Sequence, residues 1–205
     1  MANTSIPSNW QVSMQYLKKE LKDLLLKVAL RQFTLYGYEA TTMRSISKEA
    51  GITAPNIYRY FSSKEELYKQ LVVPAYQVIN DLFRMNADAT LTPAEVGQTL
   101  LGRLPQLLQH YRDELIILLD GSKGTPFAGA KEEITVILSE DIARHIGVLN
   151  KETEAPVFDQ MMARPMAVSF LEGVMDIIRR HEHPDDIVKL TTQFIQMYFF
   201  WSVRE

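Results

Sequence analysis

At 205 residues, with 46% hydrophobic and 23% charged side chains, the chain has the profile of a soluble globular protein long enough to bury a core. It has no cysteine, which excludes a disulfide framework and any thiolate metal site and fits a reducing cytoplasm. The formal charge of −3 is unevenly divided: residues 1–70 carry ten Lys+Arg against six Asp+Glu (+4), and residues 71–205 carry twelve against nineteen (−7). A basic head on an acidic body is expected when only one part of a chain meets phosphates.

The first ten residues lack the basic region and apolar run of a signal peptide. The late apolar stretch at residues 194–203 is interrupted by Gln196 and is too short to cross a bilayer, so a cytoplasmic protein with no membrane partner is expected. Residues 1–15 are polar and are expected as a flexible arm. Apolar residues then recur at helical spacing almost throughout, and the fold class is all-α. Leu21, Leu24, Leu25, Val28 and the pair Leu35/Tyr36 trace one side of a first helix, which Gly37 stops. A short helix with Met43, Ile46 and Ala50 on one face ends at Gly51. A third helix covers about residues 54–60, and a fourth starts near Ser63 and passes Pro74 to about Arg84.

Residues 41–67 carry the chemistry. Two short helices joined by a glycine-containing turn can cross so that the second lies in the major groove of DNA. Gly51 supplies the left-handed turn conformation, and Thr53 is a natural N-cap for the second helix. Pro55 falls in the first turn, where its missing N–H costs no hydrogen bond. Ile46, Ala50, Ile52 and Ile57 form an apolar wedge between the two helices. Ser63 and Glu66 read as a capping box around Lys64, whose charge opposes the helix dipole. A docked phosphate would account for that lysine, and so would plain solvation offset by Glu65 and Glu66.

The run Phe33, Gly37, Thr41-Thr42, Ile46, Ala50-Gly51-Ile52, Ile57-Tyr58, Tyr60-Phe61, Ser63-Lys64 and Leu67 resembles the DNA-binding signature of the tetracycline-repressor (TetR) family, without a gap, over about residues 24–72. The resemblance implies a three-helix helix-turn-helix domain at residues 16–72 and a larger helical bundle at 73–205 that binds an effector and dimerises. It implies phosphate contacts from Thr42, Tyr58 and Lys64, and base contacts from Thr53, Ala54, Asn56 and Arg59, with Arg44 at the groove edge. The side-chain chemistry agrees: Arg59 can pair bidentately with guanine and Asn56 with adenine. Tyr60 is expected in the core beneath Phe61.

In the body, Ile187, Leu190, Phe194, Tyr198 and Trp201 are spaced three and four apart and make a heptad-like seam. With Phe170 and Val174 on the preceding helix (about residues 158–180) they are expected to form a four-helix homodimer interface. The partner would then be a double-stranded, near-palindromic operator whose half-sites lie about 34–36 Å or somewhat further apart. The effector is expected to be a small, largely apolar molecule in a pocket drawn from Leu104, Leu108, Tyr111, Leu118, Phe127, Ile137, Met162, Met166 and Phe170. Residues 118–134 resemble a loop of some family members and are expected as a flexible crossing near the pocket mouth. Pro74 is a candidate joint through which ligand binding tilts the head.

No cofactor or metal is called for, and no HExxH, GxSxG or phosphate-loop motif supports an enzyme. His181 and His183 sit two apart, on different faces of any helix, and read as a polar turn, with Asp185 and Asp186 capping the last helix. A helical protein-interaction module would explain the apolar C-terminal helices but not residues 41–67. Repression is expected by family analogy alone, with activation as the alternative.

Overall fold

The computed structural model describes residues 8–85, 92–151 and 156–200, and every regular element among them is helical. The chain divides into two compact units, Met1–Leu71 and Val72–Glu205.

In the first unit, α1 (Ser8–Ala40) carries a break at Gly37, whose φ of 74° places it in the left-handed region. The helix starts at Ser8, inside the stretch expected as an arm. Its buried stripe is Leu25, Val28, Ala29 and Phe33, and Leu24, Leu35 and Tyr36 are exposed. The apolar residues that pack therefore trace a narrower face than the pattern suggested. Phe33, Tyr38 and Tyr68 form an aromatic cluster with ring centroids 5.1–5.7 Å apart.

Helix α2 (Met43–Glu49) is closed at both ends. Thr42 and Ser45 exchange capping bonds at its start. At its end Gly51 (φ 71°) turns the chain so that Ile52 N–H reaches Ser47 O and Gly51 N–H reaches Lys48 O. Helix α3 (Ala54–Ile57) is shorter than the pattern suggested. The winding continues to Phe61 through bonds from Arg59 to Asn56, Tyr60 to Ile57 and Phe61 to Ile57. Ile46, Ile57 and Phe61 are fully buried, so the wedge is real at its centre, with Ala50 and Ile52 half-buried at its rim.

Helix α4 (Lys64–Met85) contains Pro74. The second unit continues with α5 (Pro93–His110), α6 (Arg112–Leu119), α7 (Ala130–Lys151), α8 (Ala163–Arg180) and α9 (Pro184–Phe200). Thr92 and Glu95 form the capping box that opens α5. A 3₁₀ turn at Gln160–Met162 precedes α8, which therefore begins later than the expected residue 158. Asp185 and Asp186 lie inside the first turn of α9, where they complement the dipole and do not cap it. Helix α9 packs along α5 and α8, and α7 along α8. The core between them includes Leu104, Leu108, Leu118, Ile134, Met175, Ile178 and Ile195.

The segment between α6 and α7 is pinned where a flexible crossing was expected. Ser122 and Thr125 are buried, the Thr125 hydroxyl donates to Ser122 O at 2.6 Å, and Phe127 N–H donates to Thr125 Oγ1. Asp120, at its start, accepts two bonds from Arg179 at 2.7 and 2.8 Å, and Lys131 spans Asp120 and Glu172. No helix among the described residues is long and apolar enough to cross a membrane.

Candidate nucleic-acid interface and ligand cavity

The outer surface of α2, α3 and the turn between them carries Thr42, Arg44, Thr53, Tyr58 and Arg59 exposed, with Ala54 and Asn56 half-buried. Tyr58 is 53% exposed although its neighbour Ile57 is fully buried, so the backbone holds a large aromatic phenol in solvent. Thr42 Oγ1 accepts from Ser45 N–H at 3.0 Å. That bond uses a lone pair and leaves the hydroxyl proton to donate. Thr53 takes the extended backbone of an N-cap, but its side chain makes no capping bond. Tyr60 is half-buried beside the fully buried Phe61.

Lys64 is not the freely solvated cation that one reading of the sequence suggests. Its Nζ donates to Tyr38 O at 2.6 Å and Thr41 O at 2.8 Å, and it stands 4.0 Å from the Tyr38 ring centroid. Two of its three protons are thus committed to the carbonyls just past the Gly37 break. Burial pushes its ammonium below the ordinary lysine range, with Glu39 opposing. Nor is the capping box the expected one. Ser63 Oγ accepts from Glu66 N–H, but the Glu66 carboxylate reaches the Ser62 hydroxyl and the Ser62 N–H instead. Those two bonds, the hydroxyl's first, hold Glu66 below the usual carboxylate range.

One positioning residue escapes a pattern-based reading. Buried Gln32 on α1 donates to Glu49 at 2.7 Å and accepts from the Ser45 hydroxyl at 2.6 Å. It thereby ties α2 at both ends to the first helix. An amide on the buried face of an otherwise apolar helix is the signal that could have found it.

In the second unit a cavity of about 200 Å³ is lined from α4, α5, α7, α8, α9 and the segment before α8. Phe83, Val96, Leu100, Leu138, Ile142, Ile146, Leu149, Phe158, Met166, Phe170 and Phe199 supply its apolar wall, and Asp141, His145 and Tyr198 its polar groups. Of the expected lining residues only Met166 and Phe170 face it. Leu104, Leu108 and Leu118 are core side chains, at most 1% exposed, one layer away. Phe127 packs edge-on against Tyr76, and Tyr111 stands edge-on to His110 at the α5–α6 junction. Ile137 is half-buried outside the lining, and Met162 is 46% exposed. The Asn150 side chain holds the backbone of Val157 and Phe158, which brings Phe158 to the wall.

The expected dimer seam is largely consumed within one chain. Phe170, Val174 and Ile187 are no more than 3% exposed, and Phe170 stacks on Phe194 and meets Tyr198 edge-on. Leu190, Phe194 and Tyr198 are half-buried, and Trp201 lies outside the described residues. Heptad spacing reports an apolar face, and here α5 and α8 cover most of it.

Residues 25–71 match the family model described as bacterial regulatory proteins, tetR family. The transcriptional repressor KstR2 of Mycobacterium tuberculosis is 31% identical over 96 residues, which is 47% of this chain and 48% of that protein. The chain therefore spans about half the length of the curated relative it matches. A solved structure described as the ketosteroid transcriptional regulator KstR2 of M. tuberculosis superposes with a TM-score of 0.67 at 20% identity, covering 87% of this chain and 92% of that one. The regulator FadR from Bacillus subtilis, solved in complex with stearoyl-CoA, gives a TM-score of 0.54 at 16% identity over 86% and 97% of the two chains. At these identities the two structures speak for the fold.

Proposed function

We propose that this chain, a member of the tetR family of bacterial regulatory proteins through its residues 25–71, is a ligand-responsive transcriptional regulator that represses by binding a near-palindromic operator as a homodimer. The observation that carries the reading is the capped α2–α3 turn with Thr42, Arg44, Thr53, Tyr58 and Arg59 exposed on one surface. Thr42 and Tyr58 meet phosphates and set register, and Arg59 and Asn56 read base edges. Thr53 and Ala54 make the remaining base contacts. Lys64 serves this surface by fixing the start of α4 to the α1–α2 turn.

The effector enters the apolar cavity of the second unit. The descriptions of two similar structures, a ketosteroid regulator and a regulator in complex with stearoyl-CoA, whose acyl chain is apolar, support an effector with a large apolar part here. For the dimer, the outer faces of α8 and α9 are the supporting surface: Val168 is 42% and Met197 61% exposed. Pro74, inside α4, is the candidate joint between head and body.

The test is fluorescence anisotropy with a labelled random duplex titrated with salt, and then selection of bound sequences. A linear fall of log affinity with log salt, and recovery of an inverted repeat, are expected. Absent or salt-independent binding would instead favour a helical protein-interaction module.

A further inference from the structure

The polar end of the cavity has a definite hydrogen-bonding character. Asp141 is 6% exposed and lines a largely apolar wall beside His145 and Tyr198. Its Oδ1 accepts from Arg144 Nη2 at 2.8 Å. His145 Nδ1 lies 2.9 Å from Asp141 O. A carbonyl oxygen can only accept, so that nitrogen carries a proton and donates it there. Tyr198 Oη donates to Met166 O at 2.7 Å. The phenol proton and the Nδ1 proton are both spent on backbone carbonyls, which leaves the Asp141 carboxylate as the acceptor at this end of the cavity.

Charge narrows the choice. Asp141 is already matched by Arg144, with His145 Nδ1 3.7 Å from its other oxygen, so its charge is compensated before any ligand enters. An ammonium entering this apolar space would shed its water without a net counter-charge. A carboxylate would meet the Asp141 carboxylate. Burial already pushes the Asp141 carboxyl above its ordinary range, with His145 and Arg144 opposing, so added negative charge there is unfavourable.

We infer that the cavity selects a neutral apolar molecule bearing a hydroxyl group, the hydroxyl donating to Asp141 and the body packing among Phe83, Leu100, Leu149, Phe170 and Phe199. The inference rests on reading this cavity as the effector site and adds the chemistry of the effector's head group. The ring-rich wall suits a planar or cyclic body.

The test uses the full chain and four probes that share one ring system: naphthalene, 2-naphthol, 2-naphthoate and 2-naphthylmethylammonium. Affinities are read by calorimetry or by quenching. 2-Naphthol should bind about three- to tenfold more tightly than naphthalene, the worth of one net hydrogen bond, and more tightly than either charged probe. Asp141→Leu should bring 2-naphthol down to the naphthalene value. Asp141→Asn keeps the shape and an acceptor oxygen, so it should keep the 2-naphthol preference while relieving the discrimination against 2-naphthoate. Equal or tighter wild-type binding of naphthoate, of the ammonium or of naphthalene overturns the inference, and so does failure of all four to bind. Duplex binding without any probe, measured on the same preparation, reports on the regulator reading separately, so the two can fail independently.

Discussion

The ring of Phe194 occupies the space a side chain at Gly173 would need: a β-carbon there would collide with Phe194 Cζ and stand 2.8 Å from Cε2. Helices α8 and α9 approach closely because residue 173 has no side chain, and Phe194 is held in place by stacking on Phe170 at 5.6 Å. Gly173→Ala gains about 1 kcal/mol of helix propensity but forces an overpacking cost of about 1–3 kcal/mol. The expected net result is a loss of about 1 kcal/mol, read as a lower urea midpoint. Adding Phe194→Leu should recover most of it, and strict additivity in that double-mutant cycle would contradict the contact.

Arg59 is exposed at the end of the α3 turn, where Arg59 N–H bonds Asn56 O. Arg59→Ala should leave thermal stability unchanged, since the side chain covers no core. It should weaken specific operator binding by about 1–3 kcal/mol and relax preference at one base position. A gel-shift series on single-base operator variants reads both effects. A uniform loss across all variants would assign Arg59 to the phosphates instead.

Lys64 makes the opposite case. Because its ammonium holds Tyr38 O and Thr41 O, Lys64→Met should destabilise the head by about 1–3 kcal/mol, the range for hydrogen bonds to a charged group that leave carbonyls unpaired. The salt slope of DNA binding should stay nearly constant, whereas loss of a direct phosphate contact would lower it by about 1. Thermal denaturation together with a salt titration separates the two roles.

These residues show what local sequence can reveal. The helix-turn-helix is legible because its determinants lie within a few residues of one another: the Thr42 cap, Gly51 at positive φ and the buried pair Ile46 and Ile57. The partners of Lys64 stand 23 and 26 residues back, and no spacing rule reaches them. The cavity was harder still. Leu100 lines it and Leu104, one turn further along the same helix, is sealed in the core. Where neighbouring helices diverge decides between them, and periodicity does not encode divergence. One signal was present: Asp141 and His145, four apart, continue the face of α7 that Ile134 and Leu138 bury, and a buried carboxylate there needs a reason.

The ion network of the body gives a pH dependence with a definite sign. Burial alone would raise Asp120, but the hydrogen bonds and charge of Arg179, with Lys131, outweigh it and leave the carboxyl below its ordinary range. Glu172 is held low chiefly by its bond from Lys131, and by Arg179. Carboxyls depressed in the folded state contribute their full stability above their unfolded pKa values, about 4, and lose it as pH falls through the folded ones. The contribution of this network to the urea midpoint should therefore be flat from neutrality to about pH 5 and fall below about pH 4. Arg179→Met should cost about 1 kcal/mol at neutral pH, a modest figure because the groups are partly exposed, and should make the acid fall shallower. Parallel curves for the two proteins would show that the network does not carry the acid sensitivity.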